Sequence, residues 1–249
     1  MKIKDLEINY VQYGNKKGKN IILLHGWGQN IFVMDTIGKK LEKYFNITNI
    51  DLPGFGKSET PKEAFTIYNY REIIEILLNK LKINNPIFIG HSFGGRVAIA
   101  YAAKNKVDKL VLLGAPFRKK ETNNSFKLKL FKFLKKVPII NLLEDWVKTK
   151  VGSSDYREAS PVMREILVNV VNQDLTNELK EIDCPTLLIW GSLDSEVSIE
   201  EAKYAESIMK NAGIAEIENA THFAFIEQNF RVIKILENFF EVDKSRRKK

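Results

Sequence analysis

The sequence predicts an α/β fold, a mostly parallel, doubly wound sheet flanked by helices. Three observations carry that reading. Near-continuous apolar runs of strand length recur along the chain, helix-periodic segments separate them, and only the N-terminal segment alternates in the manner of an antiparallel edge strand. With 249 residues, 44% hydrophobic and 28% charged, the chain has ordinary globular composition and can bury a substantial core.

Taken in order, "IKDLEINYVQYG" (3–14) alternates and reads as the edge strand. "NIILLHGW" (20–27), "NITNIDLPG" (46–54), "PIFIGHS" (86–92), "KLVLLGAP" (109–116) and "CPTLLIWG" (184–191) suit strands buried on both faces. Helix candidates lie at about 68–82, 94–104, 199–211 and 228–240, and "IAEIEN" is a last strand-like run. The rhythm breaks once, over 116–183, where "SFKLKLFKFLKKV" and "SPVMREILVNVVNQDL" are helix-like. That stretch is too long for a loop and short for a separate domain, so it reads as a helical insert over the sheet. The expected organisation is a core of 1–115 and 184–243, the insert at 116–183, and a basic tail at 244–249.

Sites in such folds form beyond the carboxyl ends of the strands. Ser92 sits there, between an apolar strand and a helix, in Gly90-His91-Ser92-Phe93-Gly94. This fits G-x-S-x-G, where a sharp turn strains the serine backbone and small residues at Gly90 and Gly94 avoid collisions. A plain glycine corner between strand and helix is the competing reading. A serine nucleophile needs a base, and the chain has three histidines. His91 adjoins Ser92 and should point away, and His25 ends a central strand, so both read as structural. His222, in "NATHFAFIEQ", follows the last strand-like run and can return to Ser92. Asp194 leaves the strand "CPTLLIWG" and is the candidate acid, with Glu196 a weaker competitor. The order Ser92, Asp194, His222 is the nucleophile–acid–base order expected of this architecture. Backbone N–H groups of Phe93 and Trp27 are candidate oxyanion donors, although a glycine-rich turn at 26–28 would look similar.

HGWGQ (25–29), DLPGFGKS (51–58), GHSFGG (90–95), WGSLD (190–194) and the late His222 together resemble the α/β-hydrolase fold superfamily over almost the whole chain. The resemblance implies Ser92, Asp194 and His222 as a triad, Trp27 and Phe93 N–H as the oxyanion hole, and a helical cap inserted after the sixth strand. It departs from the usual pattern at Val197-Ser198, at Thr221 and at Asn229, where relatives often have proline or glycine. A halide-releasing relative would carry Asp at position 92.

Other chemistries fit poorly. Gly56-Lys57-Ser58 resembles the end of a phosphate-binding loop, but the first glycine of that motif falls on Asp51. No H-E-x-x-H or spaced histidine–carboxylate cluster marks a metal site, so no metal or cofactor is expected. The net charge of +8 is local: residues 117–150 carry +7, the tail +5, and the remainder −4, which argues against a nucleic-acid-binding surface. No apolar stretch approaches a membrane span, no signal segment is recognisable, and Cys184 is the single cysteine, read as buried, so a reducing, cytoplasmic setting is expected. In the insert, Phe126, Leu130, Phe133, Leu134 and Val137 share one helical face opposite Lys129, Lys132, Lys135 and Lys136. Simple solvation of the lysines is the plain reading, and weak contact with anionic surfaces through this face and the tail is the sharper one.

The expected function is hydrolysis of a small carboxylic ester, or a related acyl substrate, through an acyl-enzyme on Ser92. Hydrolysis of a carbon–carbon bond in a diketone-like ring-cleavage product is the alternative among enzymes. A non-catalytic ligand-binding protein on the same fold is the alternative of another class.

Overall fold

The computed structural model describes residues 1–119 and 160–242. The helix expected around Lys129–Lys136 and the tail 244–249 lie outside the described residues.

Among the described residues, seven strands form one sheet in the order β3-β5-β4-β6-β7-β8-β9. They are β3 (Tyr10–Gly14), β4 (Asn20–Leu24), β5 (Asn46–Ile50), β6 (Ile87–His91), β7 (Lys109–Leu113), β8 (Thr186–Gly191) and β9 (Ala212–Ile217). Only β3 runs antiparallel, paired to β5 with Tyr10 opposite Ile50; every other pairing is parallel. The single edge strand expected over 3–14 is instead two pieces. Lys2–Ile3 (β1) and Leu6–Glu7 (β2) form a separate hairpin, turned at Lys4 with φ 51°, before β3 begins. The stretch 116–183, expected as an insert after the sixth strand, follows β7, the fifth strand of the large sheet in chain order, because the N-terminal segment gives that sheet one strand.

Alternate residues of the central strands feed two cores, which explains why these strands read as unbroken apolar runs. Ile22, Leu24, Phe88, Leu110, Leu112 and Leu188 face one core, which also holds residues of α2 (Ile67–Lys80), α3 (Phe93–Ala102) and α6 (Ile199–Ile208). Ile21, Leu23, Ile87, Ile89, Val111 and Leu113 face the other, with α1 (Ile31–Leu41) and α8 (Asn229–Phe239). Between these helices in chain order come α4 (Pro161–Asn172), α5 (Thr176–Glu181) and α7 (Ala224–Glu227).

Helix α1 is absent from the sequence reading. Its apolar residues begin as a block and Gly38 interrupts its last turns, which hides the period. The cap was the available signal: Asn30 accepts Phe32 N–H at 3.0 Å. Its first amide is held from elsewhere, since Ile31 N–H donates to Asp51 Oδ1 at 2.8 Å.

Asp51, at the end of β5, is buried and fastens three segments at once. Its Oδ2 accepts Asn9 Nδ2 at 2.7 Å and Lys57 N–H at 2.9 Å. Ser58 Oγ donates to Asp51 O at 2.5 Å and accepts Asn9 N–H at 2.9 Å. The loop that resembles a phosphate-binding turn thus wraps its own carboxylate.

A buried arginine joins Pro116, shortly after β7, to Gln173, just after α4. Arg96 on α3 donates through Nη1 to Pro116 O at 2.9 Å and through Nη2 to Gln173 O. Burial lowers its guanidinium to about 10, so it stays charged at neutral pH. Leu175 N–H joins Phe117 O at 2.8 Å, and Arg118 pairs with Glu201 of α6 at 2.6 Å. Cys184, expected to be buried, is half-buried, and burial pushes its thiol up to about 11. No helix among the described residues is long and apolar enough to cross a membrane.

Replacing Asp51 by Ala strips the acceptor from two backbone amides and one side-chain amide in a buried setting. A loss of about 3 kcal/mol in urea-unfolding stability is expected, with Asp51→Asn intermediate.

Candidate active site

The turn from β6 into α3 sets the geometry. Ser92 stands at φ 49° and ψ −111°, a left-handed conformation that a residue with a Cβ adopts only when its surroundings force it. Two close approaches do so. A Cβ at Gly90 would lie 2.7 Å from Gly94 O and from Gly95 Cα, and one at Gly94 would lie 2.4 Å from Leu24 O and 2.5 Å from His25 O. Glycine at both positions lets α3 press against the ends of β4 and β6. Ser92 N–H donates to Leu113 O of β7 at 2.9 Å, while its side chain makes no capping bond to α3.

Asp194 leaves β8 and His222 follows β9. Their contact is direct, with His222 Nδ1 2.8 Å from Asp194 Oδ2. The other carboxylate oxygen accepts Glu196 N–H and Val197 N–H, each at 2.9 Å. The Asp194 side chain is fully shielded and the imidazole is 11% exposed. Paired this way, Nδ1 carries the proton and Nε2 is left to accept one. Glu196 is exposed, and the acid that meets His222 is Asp194, held in part by the Glu196 backbone N–H. Gly114, directly after β7, lies against the pair, since a Cβ there would meet His222 Nδ1 at 3.0 Å and Asp194 Oδ2 at 3.2 Å. Ser92 N–H is bonded to the carbonyl of Leu113, the residue before Gly114. Among the described residues no hydrogen bond joins Ser92 Oγ to His222.

The departures at 197, 221 and 229 have local reasons. Proline at 197 would lack the N–H that holds Asp194. Thr221 donates N–H at 2.7 Å and Oγ1 at 2.5 Å to the Glu227 carboxylate, bracing the His222 loop. Asn229 Nδ2 donates to Thr36 O and to Phe225 O, both at 3.0 Å, tying that loop to α1.

Trp27 and Phe93 adjoin one another, with ring centroids 5.3 Å apart. Phe93 is the first residue of α3, so its N–H has no partner within the helix. Trp27 sits in a turn closed by Gln29 N–H to Gly26 O at 3.2 Å, with Gly28 at φ 70°.

His25 and His91 are buried within this edge. His25 Nδ1 meets Gly26 O at 2.7 Å, and Nε2 accepts Leu52 N–H at 2.9 Å, so the ring joins the loops after β4 and β5. The sequence suggested a structural role for both rings but gave no sign of these partners.

The sequence profile of the alpha/beta hydrolase fold family matches residues 19–154. This chain belongs to the α/β-hydrolase fold family. Pimeloyl-[acyl-carrier protein] methyl ester esterase of Pseudoalteromonas atlantica is 30% identical, with 89% of this chain and 94% of that protein covered. Bromoperoxidase from Bacillus anthracis superposes with a TM-score of 0.81 at 22% identity, covering 95% of this chain and 96% of that one. A meta-cleavage product hydrolase from Pseudomonas fluorescens IP01 gives 0.78 at 21% identity, with 96% of each chain covered. The chain is a hydrolase of the α/β-hydrolase fold, and the spread of reactions among its relatives leaves the substrate to the site.

Both structural histidines resist protonation. Burial lowers His25 to about 4, and burial followed by the neighbouring His222 holds His91 well below the ordinary 6.5. Below pH 6.5 the unfolded chain takes up protons that the folded chain refuses, so stability is full above that pH and falls toward pH 4. For His25 alone the loss is on the order of 2–3 kcal/mol. Urea unfolding at pH 7 and pH 4.5 checks it, and His25→Asn should flatten the dependence.

Proposed function

We propose that this chain is a serine hydrolase of small carboxylic esters, working through an acyl-enzyme on Ser92. The observation that carries the reading is the shielded Asp194–His222 contact at the same sheet edge as the strained Ser92 turn. In this mechanism Ser92 Oγ attacks the ester carbonyl carbon while His222 Nε2 takes its proton. Asp194 stabilises the imidazolium and fixes its tautomer. The N–H groups of Trp27 and Phe93 take the negative charge that develops on the carbonyl oxygen. Collapse expels the alkoxide, which leaves as the alcohol with the proton from His222. A water molecule, deprotonated by His222, then attacks the acyl-enzyme and frees the acid and Ser92.

Ester chemistry is supported by the methyl ester esterase at 30% identity. The carbon–carbon alternative rests on likeness of fold to the meta-cleavage product hydrolase. An intact pair beside a serine turn is also more than a binding protein requires.

Fluorophosphonate labelling of wild type beside Ser92→Ala tests the nucleophile, with p-nitrophenyl esters of increasing chain length as substrates. Wild type should label and turn over at least one ester, and Ser92→Ala should lose labelling and about 10³-fold or more in kcat. Equal labelling of both overturns the assignment. Labelling without ester turnover, together with cleavage of a vinylogous diketone, moves the reading to the carbon–carbon bond.

A further inference from the structure

All three histidines of the chain lie in one connected path. Gly26 N–H, in the turn that carries Trp27, donates to Gln29 Oε1 at 3.1 Å. The same oxygen lies 3.2 Å from His91 Nδ1, and on the far side of the ring His91 Nε2 lies 3.2 Å from the backbone carbonyl of His222. The His91 ring packs against His222 at 4.8 Å, Phe223 at 5.2 Å and Phe225 at 4.8 Å between centroids. Gly26 closes the other side, where a Cβ would come within 2.8 Å of His91 Nδ1. From the strand just before Ser92, this ring touches both the loop of the oxyanion donor and the loop of the base.

We infer that His91 is a positioning residue that locks the Gly26–Gln29 loop and the His222 loop to each other, so that oxyanion donor and base keep one spacing about Ser92. The inference rests on the reading of His222 as the base. A neutral ring has one N–H and faces two oxygens, so its tautomer decides which loop it holds by a hydrogen bond and which by ring packing. Burial keeps the ring neutral. It therefore does not oppose the charge that His222 acquires on taking the serine proton.

Three variants test this. His91→Phe keeps an aromatic ring among aromatic neighbours but removes both polar contacts. It should lower kcat on an ester about ten- to hundredfold with KM within about threefold, since a small misplacement of reacting groups weakens the transition state more than binding. His91→Gln, which keeps a donor and an acceptor, should recover most of the rate. Gln29→Ala should show the same split at smaller size and add little to His91→Phe in the double variant. A kcat in His91→Phe within about twofold of wild type, equal impairment of His91→Phe and His91→Gln, or multiplying effects with Gln29→Ala overturns the inference. Wild-type kcat in Gln29→Ala overturns it even if His91→Phe does not fold. Amide hydrogen exchange judges the coupling without catalysis. Residues 221–228 should exchange faster in Gln29→Ala and in His91→Phe than in wild type, and unchanged exchange overturns the link. A wild type that neither labels nor cleaves esters sinks the hydrolase reading instead, and the exchange experiment still decides on the two loops.

Discussion

The backbone of Ser92 is the constraint on which the rest depends. Held at φ 49°, it stands in a conformation that strains an L-residue by about 1–3 kcal/mol. The fold offsets this by burying every residue of α3, from Phe93 to Ala102, against the middle of the sheet. Gly90 and Gly94 permit that approach, and Leu113 O receives the serine amide. The strained turn thereby becomes the rigid centre of the carboxyl edge.

Around it, polar groups that face no solvent fasten the loops. Asp51 holds Asn9, Ile31 and Lys57, His25 joins the loops after β4 and β5, and His91 joins the loop after β4 to that after β9. Each group has partners, so its burial does not leave an orphaned donor or charge. The motifs HGWGQ and DLPGFGKS are thus largely loop fasteners, with Trp27 N–H the one group among them proposed to take part in the chemistry. The Asp194–His222 pair is held by separate means, through the amides of residues 196 and 197 on one loop and Glu227 on the other.

The central strands were readable because burial on both faces leaves unbroken apolar runs, and β4, β6, β7 and β8 stand where those runs lie. The N-terminal segment was not, since alternation alone does not reveal the left-handed turn at Lys4 that splits it. Helix α1 escaped because its opening apolar block and Gly38 hide the helical period, and its first amide is held from outside, by Asp51. Ser92, Asp194 and His222 were candidates because each follows a strand and their order along the chain is informative. Asp194 and His222 lie in contact, whereas the partners of His91 depend on a loop 131 residues away that no local pattern encodes. The substrate stayed hidden because a fold does not fix its substrate and periodicity does not place the side chains that select one.

If Ser92 is held under strain for chemistry, relieving the strain should stabilise the fold while removing activity. The direct measurement compares urea unfolding of Ser92→Gly and Ser92→Ala, both lacking the nucleophile. Glycine adopts φ 49° freely, so Ser92→Gly should be more stable than Ser92→Ala by about 1 kcal/mol, even though glycine gives the unfolded chain more entropy. A Ser92→Gly protein no more stable than Ser92→Ala would contradict the account.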